Sequence, residues 1–243
     1  MLHNPRAIET VYSPCNESEK IVNIEDGLYL PKKSSFTVPL LVRVTGGEDV
    51  SKERKALTES GWAVYLLTMD QASIEQDLSA CEKKKEELLE KIEKLLAENN
   101  FLDRKRVYLD GWFTAYVIFH TDFFRAAIAR PALVNRTTAY GLCPAGEPTM
   151  NSGTLYEEMI SLAEGSVLID VDNCKTPCLV FYREGNPRYS REQSEELYSA
   201  MKDRNPEIPC RMAVFTPKQW EKYEIDELMT WLKRFDTEGE NNA

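Results

Sequence analysis

Histidine is scarce: the 243 residues hold only His3 and His120. Proton transfer in enzymes most often runs through histidine, so acid–base chemistry has few places to start. The chain also lacks any apolar run of about 18 residues, the length that reads as a membrane helix, and no span is expected. Positive charge is in deficit, with 30 Lys and Arg against 40 Asp and Glu and a net charge of −10. That balance argues against nucleic acid or an anionic membrane as partner and reads as a solubility feature. The opening MLHNPRAIETVY lacks a charged-then-apolar signal pattern, so secretion is not expected. Cys15, Cys81, Cys143, Cys174, Cys178 and Cys210 are scattered, and the spacing Cys174-x-x-x-Cys178 has neither a second pair nor a nearby histidine. Zinc and other metals are therefore not expected, and the thiols read as reduced ones in a cytoplasmic protein. Nothing in the sequence asks for a cofactor.

What is present is organised around VYLDGWFTAYVIFH, residues 107–120. A buried strand, a sharp turn at Gly111-Trp112-Phe113-Thr114-Ala115 and an apolar helix start follow one another. Strand, tight turn and helix around one exposed position is the nucleophile-elbow pattern of α/β-hydrolases, which asks for Gly-x-Ser-x-Gly. Gly111 is kept and Ala115 is small, but the nucleophile position is Phe113, which has no hydroxyl or thiol. His120 lies seven residues further on, roughly 10 Å along the helix, too far to serve that position, and reads as an ordinary helix residue.

The strings DRKRVYLDGW (103–112), HTDFFRAAIARPALVNRTTAYG (120–141), VDNCKTPCLVFY (171–182) and REQSEELYSAMKDRNPEIPCRMAVF (191–215) resemble, in order, the catalytic domain of the prolyl oligopeptidase family of serine peptidases. The resemblance covers roughly residues 20–235 and is dense from 103 onward. It implies an α/β-hydrolase fold with a mostly parallel sheet and helices on both faces. It also implies a triad at Phe113, Asn186 and Trp220, where the family has its serine, acid and histidine. An amide cannot stabilise an imidazolium by charge and readily orients the wrong tautomer, and an indole N–H only donates. The family's oxyanion-hole strand end reads His-Gly-Gly, and here it is Thr45-Gly46-Gly47, with Thr114 following the nucleophile position. Glu184 and Arg188 persist from the family pattern and read as an ion pair, with Asp110 a second carboxylate near the site. The family's β-propeller is expected to be missing, because fewer than about 30 residues precede the DGLYLPK stretch. The segment 142–166 reads as a trimmed cap.

Strand runs are expected near 40–44, 62–67, 106–109, 126–129, 178–182 and 211–215, alternating with helices. KIVNIEDGLYLPKK alternates around Asp26-Gly27 and reads as a hairpin adding antiparallel strands at one edge. The longest helical pattern, about 74–99, carries the stripe Leu78, Leu88, Leu89, Ile92, Leu95 and Leu96, with Lys83 to Glu87 on the polar side. It reads as a helix packed on the sheet, with a coiled-coil partner as the alternative. The expected organisation is an N-terminal arm (1–19), one α/β-hydrolase domain (20–236) and a polar tail (237–243). With nucleophile, acid and base replaced together, the leading expectation is a pseudoenzyme that binds, scaffolds or regulates. The alternatives are a hydrolase with rewired groups and a partner subunit of an active paralogue. A protein partner, a homo-oligomer or a small apolar ligand fits the first reading.

Overall fold

The structure, a computed structural model, describes residues 27–31, 37–71, 78–142, 155–186, 188–217 and 220–237. The arm, the polar tail from residue 238, the Asp26 side of the hairpin and most of the cap segment (143–154) lie outside the described residues, as does His3. Seven strands form one sheet in the order β1-β3-β2-β4-β5-β6-β7. They are β1 (Gly27–Tyr29), β2 (Val38–Thr45), β3 (Ala63–Thr68), β4 (Leu102–Gly111), β5 (Ala126–Ala129), β6 (Cys178–Arg183) and β7 (Cys210–Phe215). Strands β2 to β7 run parallel, and β1 lies antiparallel on β3 at the edge. The helices are α1 (Ser51–Glu59), α2 (Leu78–Glu98), α3 (Thr114–His120), α4 (Arg136–Leu142), α5 (Leu155–Glu164), a 3₁₀ helix (Val167–Asn173), α6 (Arg191–Arg204) and α7 (Trp220–Thr237).

The sheet is apolar on both faces because helices cover both, which is why β2 reads as a near-continuous apolar run rather than an alternating one. All eight of its residues are buried. Leu41, Tyr108, Ile128 and Leu179 face Leu57 of α1 and Leu228, Trp231 and Leu232 of α7. Leu40, Val42, Leu109 and Val180 face the other way, onto Leu88, Ile92 and Leu96 of α2, Val117 and Ile118 of α3, and Leu197 and Met201 of α6. The apolar stripe of α2 is therefore spent on the core at Leu88, Ile92 and Leu96, the packed-helix reading. At the other face the Trp231 indole N–H donates to the Ala127 carbonyl at 3.1 Å, tying α7 to β5.

Gly111 is where the fold meets the site. It ends β4 with φ +153°, and a Cβ there would stand 2.3 Å from the Val44 carbonyl oxygen on the neighbouring strand. The obstacle is backbone, so it cannot swing aside. Gly111→Ala is expected to destabilise the domain by about 2–4 kcal/mol, from overpacking and strained backbone together. Chemical denaturation checks this, and a loss under about 1 kcal/mol would mean β2 and β4 can part without penalty.

Candidate functional site

Strand register brings the site loops to one side of the molecule. Val44 pairs with Gly111, Gly111 with Ala129, and Ala129 with Val180. Arg183 pairs with Phe215 at the end of β7. The loops that carry Thr45 to Gly47, Phe113, Asn186 and Trp220 all leave this carboxyl edge, where ligands of open α/β sheets bind. Trp220 is the first residue of α7, and its side chain lies outside the described residues.

Phe113 does not hold a nucleophile's conformation. Its φ of −84° and ψ of −4° are helical, so the turn has relaxed and the strain that an elbow stores is absent. Its ring is 3 % exposed. It stacks on Tyr116 at 5.4 Å with planes 9° apart and tilts against Trp112 at 5.4 Å. Tyr116 in turn stacks on His120 at 4.2 Å. His120 closes α3, with Nδ1 2.7 Å from the Tyr116 carbonyl and Nε2 3.3 Å from Asp170. Its ring is thereby fixed to its own helix and the 3₁₀ helix, as a structural histidine. Beside the aromatic column lies a cavity of about 30 Å³, lined by Cys81, Trp112, Phe113, Tyr116, Ala132 and Val134 among others. That is room for one or two waters. The Trp112 indole N–H and the Thr114 hydroxyl are buried and have no hydrogen-bond partner among the described residues.

The loop Thr45 to Gly47 is engaged with itself. The Gly46 N–H donates to Glu48 Oε2 at 2.8 Å, and the Gly47 N–H donates to Thr45 Oγ1 at 2.9 Å. The Thr45 hydroxyl donates on to Glu48 Oε2 at 2.7 Å, and Arg43 donates to Glu48 Oε1 at 3.1 Å. Burial opposes the charge on Glu48, but Arg43, Thr45 and the loop amides outweigh it and hold the carboxyl below the usual carboxylate range. Asn186 closes its own turn: its Oδ1 accepts the N–H groups of Arg188 and Tyr189, both at 2.9 Å. It is a loop-forming residue here. Glu184, read from the sequence as the partner of Arg188, lies 3.8 Å from Arg191 instead, because α6 begins beside the loop. The Arg188 guanidinium sits 5.2 Å from the Tyr189 ring.

Under these loops lies a group that sequence reading missed. Asp110 bonds Arg130 through both oxygens (2.8 and 3.0 Å) and Arg43 at 2.6 Å. Arg130 also bonds Glu224 of α7 and reaches Glu53 of α1 at 3.3 Å. Arg183 bonds Glu224 at 2.9 Å through two nitrogens. Side-chain exposure is 1 % for Asp110, 3 % for Glu224, 8 % for Arg130 and 13 % for Glu53, so these charges have traded water for one another. Burial penalises ionisation of Asp110 and Glu224, yet the guanidiniums win and both carboxyls lie below their ordinary values. Glu53, for which burial is the larger effect and Asp110 and Glu224 add repulsion, is raised. Three guanidiniums (Arg43, Arg130, Arg183) thus meet three carboxylates, of which Asp110 and Glu224 are buried and Glu53 is partly buried. The signal in the sequence was a single charge inside each of the apolar runs PLLVRV, VYLDG and AAIAR.

The chain is similar in structure to peptidases. It aligns with an acylaminoacyl peptidase of Pyrococcus horikoshii at TM-score 0.69 and 17 % identity, over 86 % of this chain and 38 % of that one. A putative dipeptidyl aminopeptidase IV from Bacteroides ovatus aligns at TM-score 0.64 and 13 % identity, over 85 % of this chain and 33 % of the other. A puromycin-hydrolyzing peptidase of Mycobacterium tuberculosis aligns at 0.57 and 18 %, over 78 % and 32 %. The chain thus spans about a third of the length of these structures, and the fold it shares with them is the α/β-hydrolase fold. No protein-family model matches the chain, and no curated protein matches it by sequence. Among the described residues no helix is long and apolar enough to cross a membrane.

Proposed function

We propose that the chain is a peptidase-like pseudoenzyme of the prolyl oligopeptidase family, a hydrolase domain that binds or regulates and does not turn over substrate. One observation carries this reading. The nucleophile position is a buried phenylalanine in a relaxed, helical turn, with its ring filling the floor of the site. The neighbouring groups agree with it. The amides of the oxyanion loop already have acceptors in Thr45 and Glu48, and Asn186 is committed to its own turn. The small apolar cavity leaves no space for a peptide side chain without rearrangement, so the aromatic cluster acts as a plug. A binding role is favoured by α5, which turns Tyr156, Met159 and Ile160 outward at 87, 47 and 74 % exposure. These positions share one helix face, and large apolar groups exposed together mark interaction surfaces.

The test is activity-based labelling. A fluorophosphonate should leave the protein unmodified at concentrations that label an acylaminoacyl peptidase stoichiometrically. Turnover of aryl esters and aminoacyl substrates should stay at background. The assay must be sensitive, because oxyanion holes and binding alone can give about 10³–10⁴-fold over water. A labelled residue, mapped by mass spectrometry, would overturn the reading and identify a rewired nucleophile.

A further inference from the structure

The oxyanion loop holds a carboxylate that belongs to the chain itself. Glu48 Oε2 accepts from the Gly46 N–H and from the Thr45 hydroxyl, and Oε1 accepts from Arg43. The Gly47 N–H is drawn into the same chain of bonds, because it donates to the Thr45 oxygen and so polarises the hydroxyl that Glu48 receives. One amide, a hydroxyl and one guanidinium nitrogen therefore serve a single planar two-oxygen anion, with the Gly47 amide standing behind the hydroxyl, and hydrogen bonds to an ionised acceptor are the strong ones. Two of the donors do not depend on Glu48 for their placement. Arg43 is anchored from below by Asp110 at 2.6 Å, and Thr45 is fully buried at the end of β2. Glu48 is the movable member: its side chain is 45 % exposed, and it can turn into solvent without opening the core.

We propose that the Arg43–Thr45–Gly46–Gly47 corner is a carboxylate-binding site which Glu48 occupies as an internal pseudo-ligand. The proposal rests on reading this loop as the former oxyanion hole, and it adds the ligand class and the group that keeps the site shut. Glu48 is tethered two residues from Gly46, so its competition is intramolecular and a free carboxylate meets it at a disadvantage. A ligand wins only if it brings contacts elsewhere, or if Glu48 is drawn away.

Glu48→Ala vacates the corner, and acetate is the probe. In E48A the Gly46 amide resonance should shift saturably with millimolar acetate, and the thermal midpoint should rise with it towards the wild-type value. Chloride at equal ionic strength should do neither, wild-type protein should not respond, and Thr45→Val added to E48A should weaken the response several-fold. Should E48A fail to fold, Glu48→Gln allows the same titration, because acetate should displace a neutral side chain at concentrations that leave the wild type unchanged. N-acetyl-dialanine and its C-terminal amide separate the two sources of this chemistry. Tighter binding of the peptide acid than of acetate, with none by the amide, assigns chain termini. Equal binding of the two acids assigns small carboxylates. No acetate response in either Glu48 variant, or a response equal to that of chloride, overturns the proposal. That outcome leaves the pseudoenzyme reading standing, since fluorophosphonate labelling tests it separately.

Discussion

Replacing Arg130 with methionine is expected to cost roughly 3–5 kcal/mol of stability at neutral pH, the typical loss when one partner of a buried ion pair is removed. Methionine keeps much of the volume and removes the charge. Asp110, Glu224 and Glu53 would then share the interior with only Arg43 and Arg183, the latter half-exposed. At about 2–4 °C per kcal/mol for a chain of this size, the melting midpoint should fall by about 10 °C. The pH dependence has a definite sign. Asp110 and Glu224 have depressed pKa values in the folded state. Their contribution is present above the unfolded-state value of about 4 and is lost as pH falls through the folded value. Glu53 is raised, so its contribution runs the other way, present at low pH and lost as pH rises. Without Arg130 the first two carboxyls should titrate higher, and the deficit of the variant should shrink between about pH 7 and pH 4.5. Adding Asp110→Asn to Arg130→Met should cost less than the sum of the two single changes, because the two groups touch. Denaturation of the three variants at both pH values checks this. An Arg130→Met protein within 1 kcal/mol of wild type, or a deficit that does not change with pH, would show that the network is incidental.

The same network ties together the loops of the candidate site. Arg43 precedes the Thr45 loop, Asp110 precedes the elbow, Arg183 precedes the Asn186 loop, and Glu224 follows Trp220 near the start of α7. In the triad reading of this fold, hydrogen bonds among serine, histidine and acid would cross between these loops. Here buried ion pairs cross between their roots, one layer lower. Sequence reading could find the strands, because the runs at 126–129 and 178–182 are apolar and uninterrupted and the run at 40–44 is broken only by Arg43. It could find α2, because Leu88, Ile92 and Leu96 repeat every fourth residue. It could place Phe113 in the turn between β4 and α3, because Gly111 separates an apolar strand from an apolar helix start. It could not show that the turn had relaxed, since φ and ψ at Phe113 follow from packing against Trp112 and Tyr116. Nor could it pair Arg130 with Glu224, which is 94 residues away. That contact depends on α7 closing over β5, a matter of register and not of local pattern. Glu48 was passed over for the opposite reason: a glutamate in an exposed turn is ordinary until its partners are known.

Phe113→Ala is the test of the plug. The ring is 3 % exposed and is held between Trp112 and Tyr116, each at 5.4 Å. Truncating a buried phenylalanine typically costs about 3–5 kcal/mol, the lost transfer free energy plus the void left behind. The expected loss lies in that range because the walls cannot collapse: Trp112 follows the immovable Gly111, and Tyr116 is stacked on His120 and bonded through its hydroxyl to Glu82 at 3.2 Å. The existing cavity of about 30 Å³ would then open into the space of the ring. A new void lined by apolar side chains stays dry and accepts an apolar guest such as benzene. Benzene or indole should therefore raise the melting point of the variant and leave the wild type unmoved, which separates a plugged pocket from a site that was never hollow. Phe113→Ser should behave like Phe113→Ala in stability and still resist fluorophosphonate, because His120, about two turns down the helix and tied to Tyr116 and Asp170, cannot take its proton. A loss below about 1 kcal/mol with no response to benzene would show that the ring leans on nothing. Labelling of the serine variant would show instead that a base lies within reach of the elbow, and that the phenylalanine alone had silenced an otherwise working site.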